Sequence, residues 1–351
     1  MGTKTKTTGF IFFYIFIITA CKKDKAPETI KDESGSYTVT TLAGDSLFGY
    51  AEGMGAAAKF NYPISLAVDA SNNVYVADRN NNRIRKISPA NVVTTYAGTG
   101  VAGGADGNIS SAQFDMPRFI AFDPGGNLFV IDSMRLRLRK ITPSGVVTTV
   151  NSNRNPGYAD GPLSTAQFGS LDDLAIDATG SIFIIDGVNS RIRKINSSGV
   201  VSTVAGSGDL GYLDGDAFKA KFMFPTHIAV DGQNNVFVRD NFYIRKISSG
   251  NVTTIATVGD PNSPLGFVSP SSMKVDSQGT IYVGVNQSFT GSYLAKLSAT
   301  GSLVKIAGGI AGYTDGSGSA AKIISINYMT LNQNGTIYFI DEERIRKVTK
   351  N

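Results

Sequence analysis

Pro63-Ile-Ser-Leu-Ala-Val-Asp69 opens a unit of four short phrases, which continues as Asn73-Val-Tyr-Val-Ala-Asp78, Arg83-Ile-Arg-Lys-Ile87 and Val92-Val-Thr-Thr-Tyr-Ala-Gly98. Each phrase is rich in Val, Ile or Tyr and is bounded by Gly, Asn, Asp or Pro. That composition is typical of short β-strands joined by turns. No phrase has the period of a helix. The unit therefore predicts four antiparallel strands in sequence.

The same unit returns along the chain, and the repetition predicts the architecture. Its landmark polar residue recurs at Asp69, Asp123, Asp177, Asp231, Asp276 and Asn332. Four strands repeated at a spacing of about 50 residues are typical of the blades of a β-propeller. The fifth copy is degraded, because Tyr293-Leu-Ala-Lys-Leu297 stands where the other copies have an arginine phrase.

The sixth copy, Ile326 to Val348, has only three of the four phrases. The missing phrase lies at the other end of the chain, where Tyr37-Thr-Val-Thr-Thr-Leu-Ala-Gly44 matches the fourth phrase of the first unit. We expect this N-terminal strand to complete the last blade, since closing the ring removes the exposed strand edges. The sequence thus predicts an all-β, six-bladed propeller over residues 37–350, as one domain.

These units resemble NHL repeats. The resemblance is carried by Pro63 to Ile87, above all by Asn80-Asn-Asn-Arg-Ile-Arg-Lys-Ile87, and it extends over nearly all of the chain after residue 36. It implies the propeller fold. It implies little about chemistry, because the family includes RNA binders, protein-interaction platforms and lyases, and function resides in sites rather than in folds.

Residues 1–20 predict a lipoprotein signal peptide. Lys4 and Lys6 precede an apolar run, Phe10 to Ile18, that is too short to span a bilayer. The following Ile-Thr-Ala-Cys21 resembles a bacterial lipobox, which implies that Cys21 carries the lipid. An ordinary signal peptide with a chance cysteine is the alternative. Residues 21–36 are polar and predict a flexible tether.

The resemblance also implies a location. The CKKD opening at Cys21 is similar to lipoproteins of the Bacteroidetes, and lysine after the cysteine is typical of sorting to the outer membrane. We therefore expect a protein held at the cell envelope by acyl chains, on either face of the outer membrane, and a monomer.

Composition excludes several classes of site. The chain of 351 residues has one Cys and one His, which rules out an internal disulfide and sites built from several imidazoles or thiolates. The zinc-dependent amidating lyases with NHL repeats need several histidines, which this chain lacks. The net charge of +5 is small, and two of the lysines lie in the leader, so we expect no nucleic-acid partner.

Two sets of aspartates recur, and both predict structural roles. Asp69 and its equivalents precede tight turns, where a carboxylate caps backbone N–H groups. The second set comes at the end of the second strand, and we expect each member to pair with an arginine of the next strand. The carboxylates are Asp78, Asp132, Asp186, Asp240 and Asp341, and the predicted arginines are Arg83, Arg137, Arg191, Arg245 and Arg344.

Function is expected where the repeat breaks its own symmetry at the mouth of the channel. One mouth position holds Ile64, Arg118, Asp172, Thr226, Ser271 and Asn327. The next holds Ser65, Phe119, Asp173, His227, Ser272 and Tyr328. The neighbouring turns add Arg79, Arg135, Asn189, Phe242, Gln287 and Glu342. The predicted ligand-binding face is Arg118, Phe119, Asp172, Asp173, His227, Phe242, Asn327 and Tyr328.

Three functions are candidates for this face. The first is a non-enzymatic, cofactor-free module that binds a protein, peptide or glycan. The second is a metal-dependent lactonase or hydrolase similar to the calcium-dependent six-bladed lactonases, with Asp172, Asp173 and Asn327 as metal ligands and His227 as a candidate general base. The third, RNA binding, conflicts with the export signal and the low charge. We favour the first.

Overall fold

The computed structural model describes residues 31–132, 136–151, 153–258, 268–287 and 290–351. The predicted signal peptide, Cys21 and the start of the predicted tether lie outside this range. Six sheets of five strands each are arranged as the blades of a ring, so the predicted six-bladed all-β propeller is confirmed. None of the described helices has the length and hydrophobicity needed to cross a bilayer.

The first strand of each blade faces the central channel, and neighbouring first strands contact each other around the ring. These inner strands are Pro63–Val68, Phe119–Phe122, Leu174–Ile176, Pro225–Val230, Val268–Val275 and Tyr328–Leu331. All six run in the same direction, so their starts lie together at one end of the channel. We call that end of the propeller the mouth face. The opposite end carries the Asp69-type turns and is called the turn face.

Three further strands extend each blade outward in antiparallel order. The second strands are Val74–Asp78, Leu128–Asp132, Ile182–Asp186, Val236–Asp240, Ile281–Gln287 and Ile337–Asp341. The third strands are Arg83–Ile87, Arg137–Ile141, Arg191–Ile195, Tyr243–Ser248, Tyr293–Leu297 and Arg344–Lys350. The fourth strands are Val92–Ala97, Val146–Thr149, Val200–Ala205, Asn251–Thr257, Leu303–Gly308 and Tyr37–Ala43.

The N-terminal strand closes the ring as predicted. Tyr37–Ala43 pairs antiparallel with Arg344–Lys350, so the chain's first long strand becomes the fourth strand of blade six. Buried apolar side chains of adjacent blades pack in the spaces between the sheets, as in the cluster of Leu294 and Ile306 of blade five with Phe339 of blade six. The described helices are single 3-10 turns: Ser34–Ser36, Gly55–Ala57, Arg79–Asn81 and Gly318–Ala320.

A fifth, two-residue strand at the rim of each blade was not predicted. These strands are Gly53–Met54, Gly107–Asn108, Gly161–Pro162, Gly215–Asp216, Gly316–Ser317 and Lys31–Asp32. The phrases between blades build five of them. In blade three, for example, Asp160 accepts hydrogen bonds from the Thr203 backbone N–H at 3.0 Å and from Arg193. The Tyr158 ring lies under the Arg193 guanidinium at 4.9 Å.

Blade five has a different rim strand, supplied by the N-terminus. Lys31–Asp32 pairs in parallel with Leu303–Gly308, and Asp32 and Glu33 form ion pairs with Lys305 and Lys296 at 2.8 and 2.6 Å. Residues 31–36, which the sequence assigned to the tether, therefore contact the propeller. Because the pairing is parallel, this segment runs toward the mouth face.

The recurring aspartates are structural. Asp69 accepts hydrogen bonds from the backbone N–H groups of Ser71 and Asn73 at 2.9 and 2.8 Å, as a turn cap does. The second set forms buried ion pairs, but with an arginine two residues later than predicted in four of the five blades. The fully or almost fully buried partners are Arg85, Arg139, Arg193, Arg245 and Arg346. Of the predicted arginines, Arg245 is the buried partner, and Arg137 forms a longer ion pair with Asp132 beside Arg139.

The reason for this difference is the position of each arginine along the third strand, since Arg83 and Arg85 point to the same face and both lie over the Tyr50 ring. Arg83 stacks on the exposed Tyr50 ring and donates to the Thr99 carbonyl oxygen at 2.7 Å, whereas Arg85 is fully buried. Arg137 of blade two is an intermediate case, since it lies 3.6 Å from Asp132, which also binds Arg139.

Candidate functional site

The second mouth position alternates in character around the ring. In blades one, three and five it holds Ser65, Asp173 and Ser272, and each side chain accepts the backbone N–H of the next inner strand, from Ile120, Ile228 and Met329, respectively. In blades two, four and six it holds three rings, Phe119, His227 and Tyr328. The channel therefore has pseudo-three-fold character at this level.

The three rings form a layer across the channel. The Tyr328 ring lies 5.9 Å from both the Phe119 ring and the His227 ring, measured between centroids. On the mouth side of this layer is a cavity of about 500 Å³. On the turn side is a second cavity of about 220 Å³, lined mostly by aliphatic residues of the inner strands and by Lys274. The layer thus divides the channel into two chambers.

The mouth cavity combines most of the predicted face. Arg118, Phe119, Asp172, His227, Asn327 and Tyr328 all line it. Asp173 is fully buried, with its carboxylate engaged by backbone groups. Phe242 lies in the turn after the second strand of blade four, on the mouth face but outside the cavity lining. Arg135 lies outside the described residues.

Exposed apolar side chains surround the cavity. Val188 and Phe224, which line it, are 71% and 60% exposed, and Tyr62 and Met116 occupy the positions equivalent to Phe224 in blades one and two. The turns of the opposite face consist mainly of Asp, Asn, Gly and Ser. The two faces therefore differ in polarity, and exposed apolar side chains lie on the mouth face.

Tyr62 and Met116 are held in an uncommon backbone conformation. Their φ angles are 58° and 53°, in the left-handed region that bulky residues seldom adopt. The preceding blade fixes each of them, because Glu343 accepts the Tyr62 N–H at 3.0 Å and the Asn82 side chain accepts the Met116 N–H at 2.9 Å. These inter-blade contacts hold Tyr62 and Met116 in place on the mouth face.

A polar chain crosses the ring layer. The Lys274 Nζ donates to the Tyr328 hydroxyl at 2.9 Å, and that hydroxyl donates to Asp173 at a longer 3.4 Å. Burial raises the pKa of Asp173 to about 6, against the opposing effect of Lys274. Burial disfavours the charged amine of Lys274, but Tyr328 and Asp173 outweigh it and raise its pKa. Asp173 therefore serves the ring layer rather than the open cavity.

His227 is bound by an arginine. The Arg239 Nη1 donates to the His227 Nδ1 at 3.1 Å and to the Ser271 carbonyl oxygen, also at 3.1 Å. Burial, and then the charges of Arg239 and Lys274, hold the pKa of His227 well below its usual value. Because arginine only donates hydrogen bonds, the neutral imidazole carries its proton on Nε2. A general base would have to use the nitrogen that Arg239 occupies.

Sequence reasoning missed Arg239 and Lys274, although the repeat signals both. The residues equivalent to Arg239 in four other blades are Ala77, Ile131, Ile185 and Ile340. The residues equivalent to Lys274 in the other blades are Ala67, Ala121, Ala175, Ala229 and Thr330. A cation stands in each case where the other blades place a small or apolar residue. Comparing strand interiors, and not only the mouth positions, would have found them.

The residues suggested as calcium ligands do not fit a calcium site. Asp173 binds the backbone N–H groups of Leu174 and Ile228, and Asp172 accepts from the Ser170 hydroxyl. Calcium takes six to eight oxygen ligands. Within the described part of the chain, no three His, Cys, Asp or Glu residues are grouped so that they could hold a metal ion.

Comparison with known proteins agrees with the fold. Residues 60–87 match the NHL repeat. The chain is a six-bladed β-propeller with an NHL repeat. The propeller is 23% identical over 380 residues to mouse teneurin-3, covering 93% of this chain and 14% of teneurin-3. It is 26% identical over 256 residues to human NHL repeat-containing protein 2, covering 61% of this chain and 35% of that protein.

The propeller also resembles solved structures. A gluconolactonase from Xanthomonas campestris superposes with a TM-score of 0.58 at 14% identity, covering 93% of this chain and 96% of that one. A likeness at this level of identity shows the fold alone. The chain spans only about a third or less of the length of mouse teneurin-3 and of human NHL repeat-containing protein 2.

Proposed function

We propose that this propeller is a lipid-anchored binding module of the cell envelope, which takes a protein, peptide or glycan ligand on its mouth face. The observation that supports this most is the mouth cavity, whose lining collects residues at which the repeat departs from its own pattern. A cavity of about 500 Å³ with apolar walls and a few polar groups is of the size and character of ligand sites.

The rigidity of the ring supports the same function. The lining residues lie at strand starts and short turns, and neighbouring blades help to hold them, as Lys274 of blade five holds Tyr328 of blade six. Pre-ordered loops lose little conformational entropy when a ligand binds. The exposed Val188 and Phe224 next to the cavity extend the contact surface beyond the channel.

The alternative, a metal-dependent hydrolase, lacks a supporting observation. Asp173 is engaged in the ring layer, and Arg239 occupies the His227 Nδ1. A hydrolase would bind a divalent ion tightly enough to respond to a chelator. We expect instead that the melting temperature in calorimetry is the same with and without chelator, and a clear decrease with chelator would favour the hydrolase.

The binding function is tested by capture on peptide and glycan arrays. Phe224→Ala removes an exposed ring beside the cavity, and Phe218→Ala removes a ring of similar exposure, 64%, near the rim strand of the same blade. We expect Phe224→Ala to weaken capture of the array ligand by about tenfold, as for an aromatic residue central to an interface, and Phe218→Ala to leave it unchanged. Equal effects of the two variants would contradict a mouth-face site.

A further inference from the structure

Arg239 introduces a charge into a strand position that is otherwise apolar. Its equivalents in four other blades are Ala77, Ile131, Ile185 and Ile340, all of which are fully buried. Arg239 is itself largely buried, and burial lowers its pKa to about 10. Placing a cation there is unfavourable unless something compensates for its lost hydration. Arg239 also lines the mouth cavity.

Within the described part of the chain, Arg239 has neutral acceptors only. Its Nη1 binds the His227 Nδ1 and the Ser271 carbonyl oxygen, and its Nε lies 3.4 Å from the Asn241 carbonyl oxygen. Among the described residues, no carboxylate forms an ion pair with it, and the Nη2 has no hydrogen-bond partner. The buried arginines of the blades contrast with this, because each of them binds an aspartate, as Arg245 binds Asp240 at 3.0 Å.

The described residues that line the cavity carry a net positive charge. Its charged lining residues are Arg118, Arg239 and Asp172, and His227 is neutral. The sum is a single positive charge, which one monoanionic group would balance. The remaining walls include Ile64, Phe119, Val188 and Phe224, which suit an apolar group.

We propose that the mouth cavity binds a carboxylate joined to an apolar group, with the Arg239 guanidinium as its charge partner. This rests on the proposed function, because it names the ligand chemistry of the same cavity. A planar guanidinium matches a carboxylate in geometry, and hydrogen bonds between the two charged groups are stronger than bonds between neutral groups. The C-terminus of a peptide with an apolar last residue presents such a carboxylate, whereas an acidic sugar presents the carboxylate on a polar ring.

The test uses two matched pairs of probes, in each of which a neutral compound lacks the carboxylate. The first pair is N-acetylphenylalanine and N-acetylphenylalaninamide, which represents a peptide C-terminus. The second is glucuronate and glucose, which represents an acidic glycan. The full-length chain without a polyhistidine tag has a single histidine, so the imidazole NMR signal reports His227 alone.

We expect an acid probe to bind at least about tenfold more tightly than its neutral partner, in line with one charge-assisted contact. Its binding should also shift the His227 signal and raise the pKa of His227, since a nearby anion favours the imidazolium. The pair that shows this preference identifies the source of the carboxylate. Acid and neutral probes of equal affinity in both pairs would overturn the proposal, as would an absence of binding by any of them.

Two variants assign the preference to Arg239. Arg239→Ile restores the residue of blades two, three and six, so we expect it to fold, and we expect the preference for the acid to fall to within about twofold. Lys219→Ala removes one positive charge from an exposed position near the rim of the same blade and should keep the full preference. A preserved preference in Arg239→Ile would overturn the assignment.

The inference and the proposed function can fail separately. If array ligands still bind the mouth face, and Phe224→Ala still weakens them, but neither acid is preferred over its neutral partner, only the carboxylate inference is wrong. If Phe224→Ala and Phe218→Ala have equal effects on array capture, the mouth-face function itself is wrong.

Discussion

Five arginines are fully or almost fully buried in the blades, and each binds an aspartate that is also buried. Arg193, for example, donates to Asp186 at 2.9 Å and to the carbonyl oxygens of Gln167 and Ala159 at 3.0 and 2.8 Å. One side chain thus joins the second and third strands to the segment that leads from the previous blade. Blade five lacks this pair and has Tyr293-Leu-Ala-Lys-Leu297 as its third strand.

Removing one partner of such a pair should be costly. We expect Arg193→Leu to lower the free energy of unfolding by about 3–5 kcal/mol, because Asp186 is left as an uncompensated buried charge. Arg191→Leu is the matched control, since Arg191 stacks on the exposed Tyr158 ring at 3.9 Å and donates to the Ser207 carbonyl oxygen at 2.6 Å, contacts that should together contribute about 1–2 kcal/mol. Urea denaturation measures both, and equal losses would contradict the structural role of Arg193.

Glu343 makes stability depend on pH. Burial raises its pKa to about 7, and the neighbouring charges of Asp78 and Glu342 add to the effect, against the Tyr62 N–H that lowers it. Because the pKa of Glu343 is raised in the folded protein, its contribution to folding stability is fully present below about pH 4.5, the ordinary pKa of a glutamate. That contribution is lost as the pH rises through about 7.

Glu343→Gln should therefore stabilise the protein at pH 8 by about 1–2 kcal/mol relative to the wild type and have little benefit at pH 4.5. Glu52→Gln is the control of opposite sign. Hydrogen bonds from Thr95 lower the pKa of Glu52, so its loss should destabilise the protein at neutral pH. Urea denaturation at the two pH values checks this, and a Glu343→Gln variant with the wild-type pH dependence would contradict it.

The two N-terminal strands differ in their importance for the ring. Tyr37–Ala43 supplies the whole fourth strand of blade six, whereas Lys31–Asp32 only covers the rim of blade five. Without Tyr37–Ala43, the edge of Arg344–Lys350 is open to pairing with another chain. We therefore expect Tyr37–Ala43 to be essential for the ring and Lys31–Asp32 to be dispensable.

Two truncations test this difference. A chain that starts at Tyr37 should unfold in one cooperative transition, with a melting temperature lower by only a few degrees. A chain that starts at Asp45 should lose that transition or aggregate. Calorimetry with size-exclusion chromatography measures both, and an Asp45 chain that melts like the wild type would contradict closure by the N-terminal strand.

The elements themselves were largely predictable, because each strand repeats six times and errors in one copy are corrected by the others. The rim strands were missed because two residues such as Gly161–Pro162 have no apolar alternation, and only the ladder to Val200–Ala205 defines them. The partner arginines were assigned to the wrong register because Arg191 and Arg193 are both cationic in sequence. Both point to the same face of the strand and lie over the Tyr158 ring, so only their position along the strand distinguishes them: Arg191 reaches the Ser207 carbonyl oxygen, and Arg193 reaches Asp186.

For the whole molecule, the sequence located the mouth face but not the chemistry inside it. Six of the predicted residues line one cavity because inner strands start together at one end of any propeller. The engagement of Asp173 with Ile228, and of Tyr328 with Lys274, depends on side chains from different blades meeting across the channel. Periodicity alone carries no information about such contacts.

The proposed lipid anchor is tested on the intact protein. We expect Cys21→Ser to abolish incorporation of labelled palmitate and to release the protein from the membrane fraction, since stable anchoring requires acyl chains. The chain has no other cysteine to substitute for it. Palmitate labelling that persists in Cys21→Ser would refute the anchor.

The parallel pairing of Lys31–Asp32 with blade five has a consequence for orientation. The segment runs toward the mouth face, so its first residue, Lys31, lies nearer the turn face than Asp32 does. Residues 22–30 could span at most about 30 Å when fully extended. If the proposed lipid at Cys21 holds the protein at a membrane, this short reach would place the turn face next to the membrane. The mouth cavity would then open away from the membrane, toward soluble ligands.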